Sequence, residues 1–193
     1  MELRIYDSIG RAIARRPAID RGGSGFSYHR PVLTILIIFI ALSALEIPIL
    51  DLIVHRWPVA RIVVLIIGVW GLTWMIGLLC AYYMRPHVVG PGGIRIRDGL
   101  ETDLFLDWDD IASVARIRQV DPPKSPRFTE HEGSRVLSLR MQDEVNIEIR
   151  LERSTTLHLP GRPPKGGSQT ADVIRIWTDD PTDYLAAVDR HMP

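Results

Sequence analysis

Two unbroken apolar runs followed by a long stretch of alternating apolar and polar positions organise the chain. The runs read PVLTILIIFIALSALEIPILDLIV, Pro31 to Val54, and VARIVVLIIGVWGLTWMIGLLCAYYM, Val59 to Met84. Each is about as long as the roughly 20 residues a helix needs to cross the apolar core of a bilayer. The link between them, His55-Arg56-Trp57-Pro58, allows only a tight reversal, so the pattern predicts an antiparallel transmembrane hairpin over residues 31–84. The first run does not read as a secretory signal, for it starts far into the chain, is long, and lacks a small-residue cleavage pattern, so the expectation is a retained span.

From Arg85 to Pro193 the period changes to two. Ile94 and Ile96 alternate with Arg95 and Arg97; Leu104 and Leu106 follow, then Val114 and Ile117. Leu137, Leu139 and Met141 alternate with Ser138 and Arg140, and Val145, Ile147, Ile149 and Leu151 alternate with Asn146, Glu148 and Arg150. Leu157 and Leu159 flank His158, and Ile174 and Ile176 flank Arg175. Such alternation predicts half-buried antiparallel strands. Turn signals separate them at Gly90-Pro91-Gly92-Gly93, at Gln142-Asp143-Glu144, and at Asp98-Gly99, which reads as a two-residue hairpin turn. The Pro- and Gly-bearing segments Asp121 to Ser134 and Pro160 to Ala171 read as long loops. Near the end, Asp180 or Thr182 can cap a helix whose apolar face is Tyr184, Leu185 and Val188. The expected fold is an α+β membrane protein. Residues 1–30 form a basic N-terminal segment, 31–84 the hairpin, and 85–193 a cytoplasmic antiparallel β-barrel or sandwich with a C-terminal helix.

Charge sets the expected orientation. Arg4, Arg11, Arg15, Arg16, Arg21 and Arg30 precede the hairpin, and Arg85, Arg95 and Arg97 follow it, against Arg56 and Arg61 at the turn. The positive-inside bias then places both termini in the cytoplasm. Tyr82 and Tyr83 fall at the inner interface and Trp57 at the outer one. Leu3, Tyr6, Ile9 and Ile13 recur at helical spacing with Arg4, Arg11 and Arg15 largely off that face, the pattern of a basic helix lying on the inner leaflet. The other reading is a basic tail that only sets topology. Gly22-Gly23-Ser24-Gly25 breaks any such helix before the membrane.

The 193 residues carry 23 Lys plus Arg against 23 Asp plus Glu. A balanced charge argues against a nucleic-acid partner, which needs a basic excess. Cys80 is the lone cysteine and lies in the second apolar run, so it reads as a small apolar side chain and leaves neither an intrachain disulfide nor a cysteine-based zinc site.

Glu46 and Asp51 fall within the first run, with Pro48 between them, and His55 is four residues beyond Asp51. A carboxylate at the bilayer centre costs roughly 2.5–3.5 kcal/mol on insertion scales, so these residues need a reason. One is a proton or metal site near the outer surface. The other is structural: the span ends near Leu50, leaving Asp51 among the headgroups, while Glu46 pairs with Arg61 or another polar group of the second helix. In that helix Gly68, Gly71 and Gly77 permit close approach, and Trp70 and Trp74 share a face, but no GxxxG spacing occurs.

No catalytic signature emerges. His131 sits in Glu130-His131-Glu132 without HExxH spacing, His158 points outward from a strand, and Ser154 lacks a GxSxG context. The Gly90–Gly93 and Gly166-Gly167 clusters lack the lysine and spacing of a phosphate loop. The expectation is a protein that is not an enzyme and uses no metal or other cofactor.

The stretch GIRIRDGLETDLFLDWDDIASV resembles the core motif of bacterial pleckstrin-homology-like (PH-like) domains. In those domains a G-apolar-R-apolar-R strand leads through a short strand to a Trp-Asp-x-Ile turn. Trp108, Asp109, Asp110, Ile111 and Val114 carry that match. The segment VIRIWTDDPTDYLAAVDRH resembles the last strand and helix of the family. The hairpin, with LEIPILDLIVHRWPVARIVV, is similar to uncharacterised bacterial membrane proteins of this architecture. The resemblance covers most of Pro31 to Pro193 and leaves Asp121 to Ser134 outside it; proteins of this family serve as membrane-associated scaffolds or have no assigned role. The expected function is therefore a membrane-anchored, non-enzymatic interaction module at the inner face of a bacterial cytoplasmic membrane. Its partners would be the bilayer and a protein or further copies of itself. A lipid headgroup ranks below a protein, because residues 85–193 are slightly acidic. The competing expectation is a small oligomeric transport or proton- or ion-linked protein using Glu46, Asp51 and His55.

Overall fold

The computed structural model describes residues 10, 14, 17–19, 22–100, 102–120, 128–131, 133–162 and 166–192. The amphipathic pattern of Leu3, Tyr6, Ile9 and Ile13 lies outside the described residues, as do 121–127 and 163–165 of the two segments read as loops.

The apolar runs form α1 (Arg30–Ile53) and α2 (Pro58–Met84), both starting on a proline in the first turn, where the missing N–H has no partner to lose. They are 24 and 27 residues long, about 36 and 40 Å, and both are long and apolar enough to cross a membrane. They pack side by side. Gly68 lets the backbones approach, since a Cβ there would come within 3.0 Å of Ile47. Cys80 is a half-buried residue of α2.

The β domain begins before the hairpin. Strand β1 (Ser24–Phe26) pairs antiparallel with β2 (His87–Gly90), matching Phe26 to His87 across the two ends of the hairpin. The glycine-rich stretch read only as a helix breaker thus supplies a strand. β2 continues into β3 (Gly93–Asp98) and β4 (Thr102–Asp107), giving a four-stranded antiparallel sheet in the order β1-β2-β3-β4. Gly93, at φ 143°, is obligatory: a Cβ would sit 2.0 Å from the Leu106 carbonyl oxygen. Asp98 pairs with Thr102, so three residues close this hairpin rather than the expected two.

A single 3-10 turn at Trp108–Asp110 leads to β5 (Ile111–Val120). Then follow β6 (Phe128–His131), β7 (Ser134–Leu139), β8 (Glu144–Leu159) and β9 (Gly167–Ile176), forming a five-stranded sheet in the order β5-β8-β9-β7-β6. β6 lies inside the segment read as a loop, anchored by buried Phe128 opposite Leu137. The sheet is mixed rather than antiparallel, because β9 inserts between β7 and β8 and runs parallel to β7. β7 and β8 are therefore not paired as a hairpin, and the turn between them carries an isolated Met141–Glu144 bridge. The strands form two sheets rather than a closed barrel. One core joins them: Val89, Ile94, Ile96 and Leu106 from the first, Leu137, Ile147, Ile149, Ile174 and Ile176 from the second. Helix α3 (Pro181–Asp189) closes the domain. Asp180 caps it by accepting from the Asp183 N–H at 3.1 Å, and Tyr184, Ala187 and Val188 are buried.

Candidate functional site at the hairpin and its base

The three polar residues singled out in the first helix do not gather into one site. Asp51 is held by Arg61 of α2 through two hydrogen bonds, Nε to Oδ1 at 2.5 Å and Nη2 to Oδ2 at 2.8 Å. This fork-to-fork geometry makes Arg61 the partner of Asp51, not of Glu46. His55 has its Nδ1 2.7 Å from the carbonyl oxygen of Leu52 in the turn. Glu46 stands apart on the exposed side of α1, at the rim of a groove of about 380 Å³ shared with Ser43, Gly68, Gly71 and Met75. Among the described residues no three His, Cys, Asp or Glu side chains are grouped to hold a metal ion.

Polar chemistry concentrates instead at the base of the hairpin, where the β domain grips both helices. The start of α1 has no side-chain cap of its own. Asp179, just before α3, supplies one: its carboxylate accepts from the backbone N–H groups of His29 at 3.1 Å and Arg30 at 3.2 Å. Negative charge suits a helix N-terminus, where N–H groups are otherwise unpaired. The Asp179 N–H donates to the Ser27 carbonyl at 2.8 Å, and Trp177 Nε1 donates to Asp179 Oδ1 at 3.2 Å. The β7–β8 turn adds a second hold on α1, for Gln142 Nε2 donates to the Pro31 carbonyl at 2.6 Å. Gln142 has a φ of 51°, the single non-glycine residue in the left-handed region among the described residues.

The grip on α2 comes from the β3–β4 turn. Leu100 is buried against Ala81 and packs on Trp74 and Leu78. Arg85, immediately after α2, donates through Nη1 to the carbonyls of Gly99 at 3.2 Å and Leu100 at 2.5 Å. The Ala18 N–H donates to the Met84 carbonyl at 2.8 Å, meeting one of the carbonyls a helix end leaves open.

Between the two grips lies a buried polar knot. His87 stacks on Tyr28 at 4.6 Å, and Tyr28 also contacts Tyr82 edge-on at 5.7 Å. His87 Nδ1 accepts from the Arg97 backbone N–H at 3.1 Å, so its proton sits on Nε2, 3.0 Å from the Trp177 carbonyl oxygen it serves. Burial drives the imidazole pKa down to about 4, helped by Arg97 and opposed by the Trp177 carbonyl, so His87 is neutral. Burial also lowers His29, against the pull of Asp179, and raises the Tyr28 phenol with help from Asp98. Arg97 donates to the Ala18 and Pro86 carbonyls, and its Nε lies 3.5 Å from Asp103. Asp103 gathers Arg95 at 2.7 Å and Arg85 at 3.4 Å as well. Partial burial works to raise this carboxyl, but the Arg95 hydrogen bond and three guanidinium charges outweigh it and hold it below the ordinary carboxylate range.

The residues of the Trp-Asp-x-Ile stretch make a structural corner. Trp108 Nε1 donates to the Gly90 carbonyl at 3.0 Å, pinning the β4–β5 corner to β2. Asp107 caps the turn by accepting from the Asp109 N–H at 3.2 Å, Asp110 pairs with Arg153 at 3.0 Å, and Ile111 enters the core. Sequence reasoning missed the residues of the base. Tyr28, His29, Leu100, Gln142 and Asp179 owe their roles to contacts across the chain, and the one local signal was a run of polar and aromatic residues flanking each helix end.

Comparison of the chain with protein-family models, with curated proteins and with solved structures returns no match.

Proposed function

We propose that the chain is a membrane-anchored, non-enzymatic interaction module. The hairpin crosses a bacterial cytoplasmic membrane twice, both termini are cytoplasmic, and a PH-like β domain is presented to a protein partner at the inner face. The observation that carries this reading is that the β domain is bonded to both helix ends at once, by Asp179 and Gln142 on α1 and by Leu100 and Arg85 on α2. A domain so held has a fixed pose relative to the hairpin, which suits display and is superfluous in a domain on a free tether. The Phe26–His87 pairing supports the topology, because it keeps both ends of the hairpin on one side. Strand β5 is one of the two outer strands of its sheet, so an extended segment of a partner can add to it. The ion-linked reading loses support, since Asp51 and His55 are engaged elsewhere and Glu46 is left alone.

The test is crosslinking and pulldown from native membranes with a C-terminal tag, beside thiol labelling of a His55→Cys variant from either side. A stoichiometric protein partner is expected, with its yield reduced by Asp179→Ala and unaffected by Glu46→Gln, and with labelling from the outer side. An ion flux abolished by Glu46→Gln, with no protein partner recovered, would overturn the proposal.

A further inference from the structure

We infer that a second copy of this chain docks on the exposed face of α1, with Glu46 of each copy meeting the other at a two-fold axis. The inference rests on the hairpin lying in a membrane and is independent of what the β domain binds. Glu46 lies about 24 Å along α1 from Arg30 and about 10 Å from Ile53, well inside a span of this length. It is exposed, and among the described residues it makes no hydrogen bond or ion pair. Arg61, the cation of α2 within reach of α1, is taken by Asp51. Acyl chains offer a carboxyl group nothing, and a polar group in hydrocarbon has to find a partner in protein.

The surroundings of Glu46 argue for a copy of this chain as that partner. Ile35, Phe39, Leu42, Glu46, Ile49 and Ile53 recur at alternating steps of four and three residues, and all six are exposed. That spacing keeps the six on one side of the helix, and Glu46 is the one polar side chain among them; a single polar residue in a seam between paired helices fixes register and partner number. The neighbouring stripe, Leu36, Ile40, Ser43, Ile47 and Leu50, is half-buried toward α2, so the Glu46 stripe flanks the intramolecular contact and remains open. A two-fold axis sets each residue near it against its own copy. Two carboxyl groups facing each other can share a proton in a hydrogen bond, and every other side chain on this stripe is apolar. A different protein would have to bring its own polar group to this depth; a second copy already carries it.

The test is disulfide trapping of the full chain in native membranes, in a Cys80→Ala background. Leu42→Cys and Ile49→Cys lie on the stripe, whereas Ile37→Cys and Ala41→Cys lie off it. Dimers are expected at the first two and not at the last two. Adding Glu46→Leu should weaken dimerisation roughly five- to thirtyfold, the range found for one polar contact between model transmembrane helices. Adding Glu46→Gln should retain it, because an amide also donates and accepts. Equal trapping on and off the stripe, unchanged trapping with Glu46→Leu, or trapping of a different protein in place of the dimer would overturn the inference. Should Glu46→Leu fail to insert, loss of dimer in the isosteric Glu46→Gln would do the same.

Discussion

Asp179 lies 150 positions after His29, yet its carboxylate receives the His29 and Arg30 N–H groups that open the first helix. A cap is usually local, the residue just before the helix turning its side chain back. Here the helix borrows one from the far end of the chain, so α1 cannot be fully formed at its base until the β domain is.

Asp179→Ala therefore breaks a tertiary contact as well as a cap. The loss should be about 1–2 kcal/mol of stability, at the upper end for a capping residue because the acceptor is charged. Denaturant unfolding of the purified chain reads the loss, and Asp179→Asn should recover part of it.

His87 predicts an acid-sensitive fold. Its folded pKa, about 4, lies below the ordinary 6.5, so the unfolded chain takes up a proton first. Stability contributed by the neutral ring is complete above pH 6.5 and is lost as the pH falls toward 4, by about 3 kcal/mol at most. His29, also lowered, adds to the same slope. Melting temperatures between pH 7.5 and 4.5 should fall in wild type, and the slope should flatten in His87→Gln, which starts from lower stability.

Gln142 combines a left-handed backbone with a hydrogen bond to Pro31. Gln142→Gly relieves the backbone but deletes the bond, effects of opposite sign and each about 1 kcal/mol. Gln142→Ala deletes the bond and keeps the strain. The alanine variant should melt clearly below both the glycine variant and wild type, which should lie close together.

Tyr184 is fully buried on the inner face of α3, edge-on to Phe26 at 5.2 Å, and its hydroxyl has no partner among the described residues. Burial raises its pKa for the same reason. Tyr184→Phe keeps the ring contact and removes the unpaired group, so it should leave stability unchanged or raise it by up to about 1 kcal/mol. A measured loss would mean that the hydroxyl has a partner.

Periodicity made much of the architecture legible. The two helices fall within a few residues of the apolar runs, and the alternating Val145, Ile147, Ile149 and Leu151 all reach the core. Asp180 caps α3 as its spacing implied. Strands β1 and β2 escaped because three residues containing a glycine, and four residues buried on both faces, show no alternation. The parallel β7–β9 pairing escaped because alternation reports which face a side chain takes, not which strand lies alongside. Asn146 and Glu148 read as outward-facing, yet both are buried, Asn146 bonded to the Thr178 backbone and Glu148 to Arg150 and Arg175. Of the hairpin trio, spacing showed that polar groups were present but not which arginine would claim which acid.

The pairing of β1 with β2 makes the hairpin an insertion within the β domain rather than an anchor that merely precedes it. During synthesis the first strand leaves the ribosome before either helix, yet its neighbour follows only after both. On the proposed membrane topology, a chain that crossed the bilayer once instead of twice would strand β1 on the far side, and Val88 and Val89 would lose their covering edge. On the proposed topology the first sheet can be completed only when the second helix has returned the chain to the side on which β1 lies. By the same logic, cutting the chain at Arg85 to separate the β domain would remove a strand of the sheet as well as the hairpin.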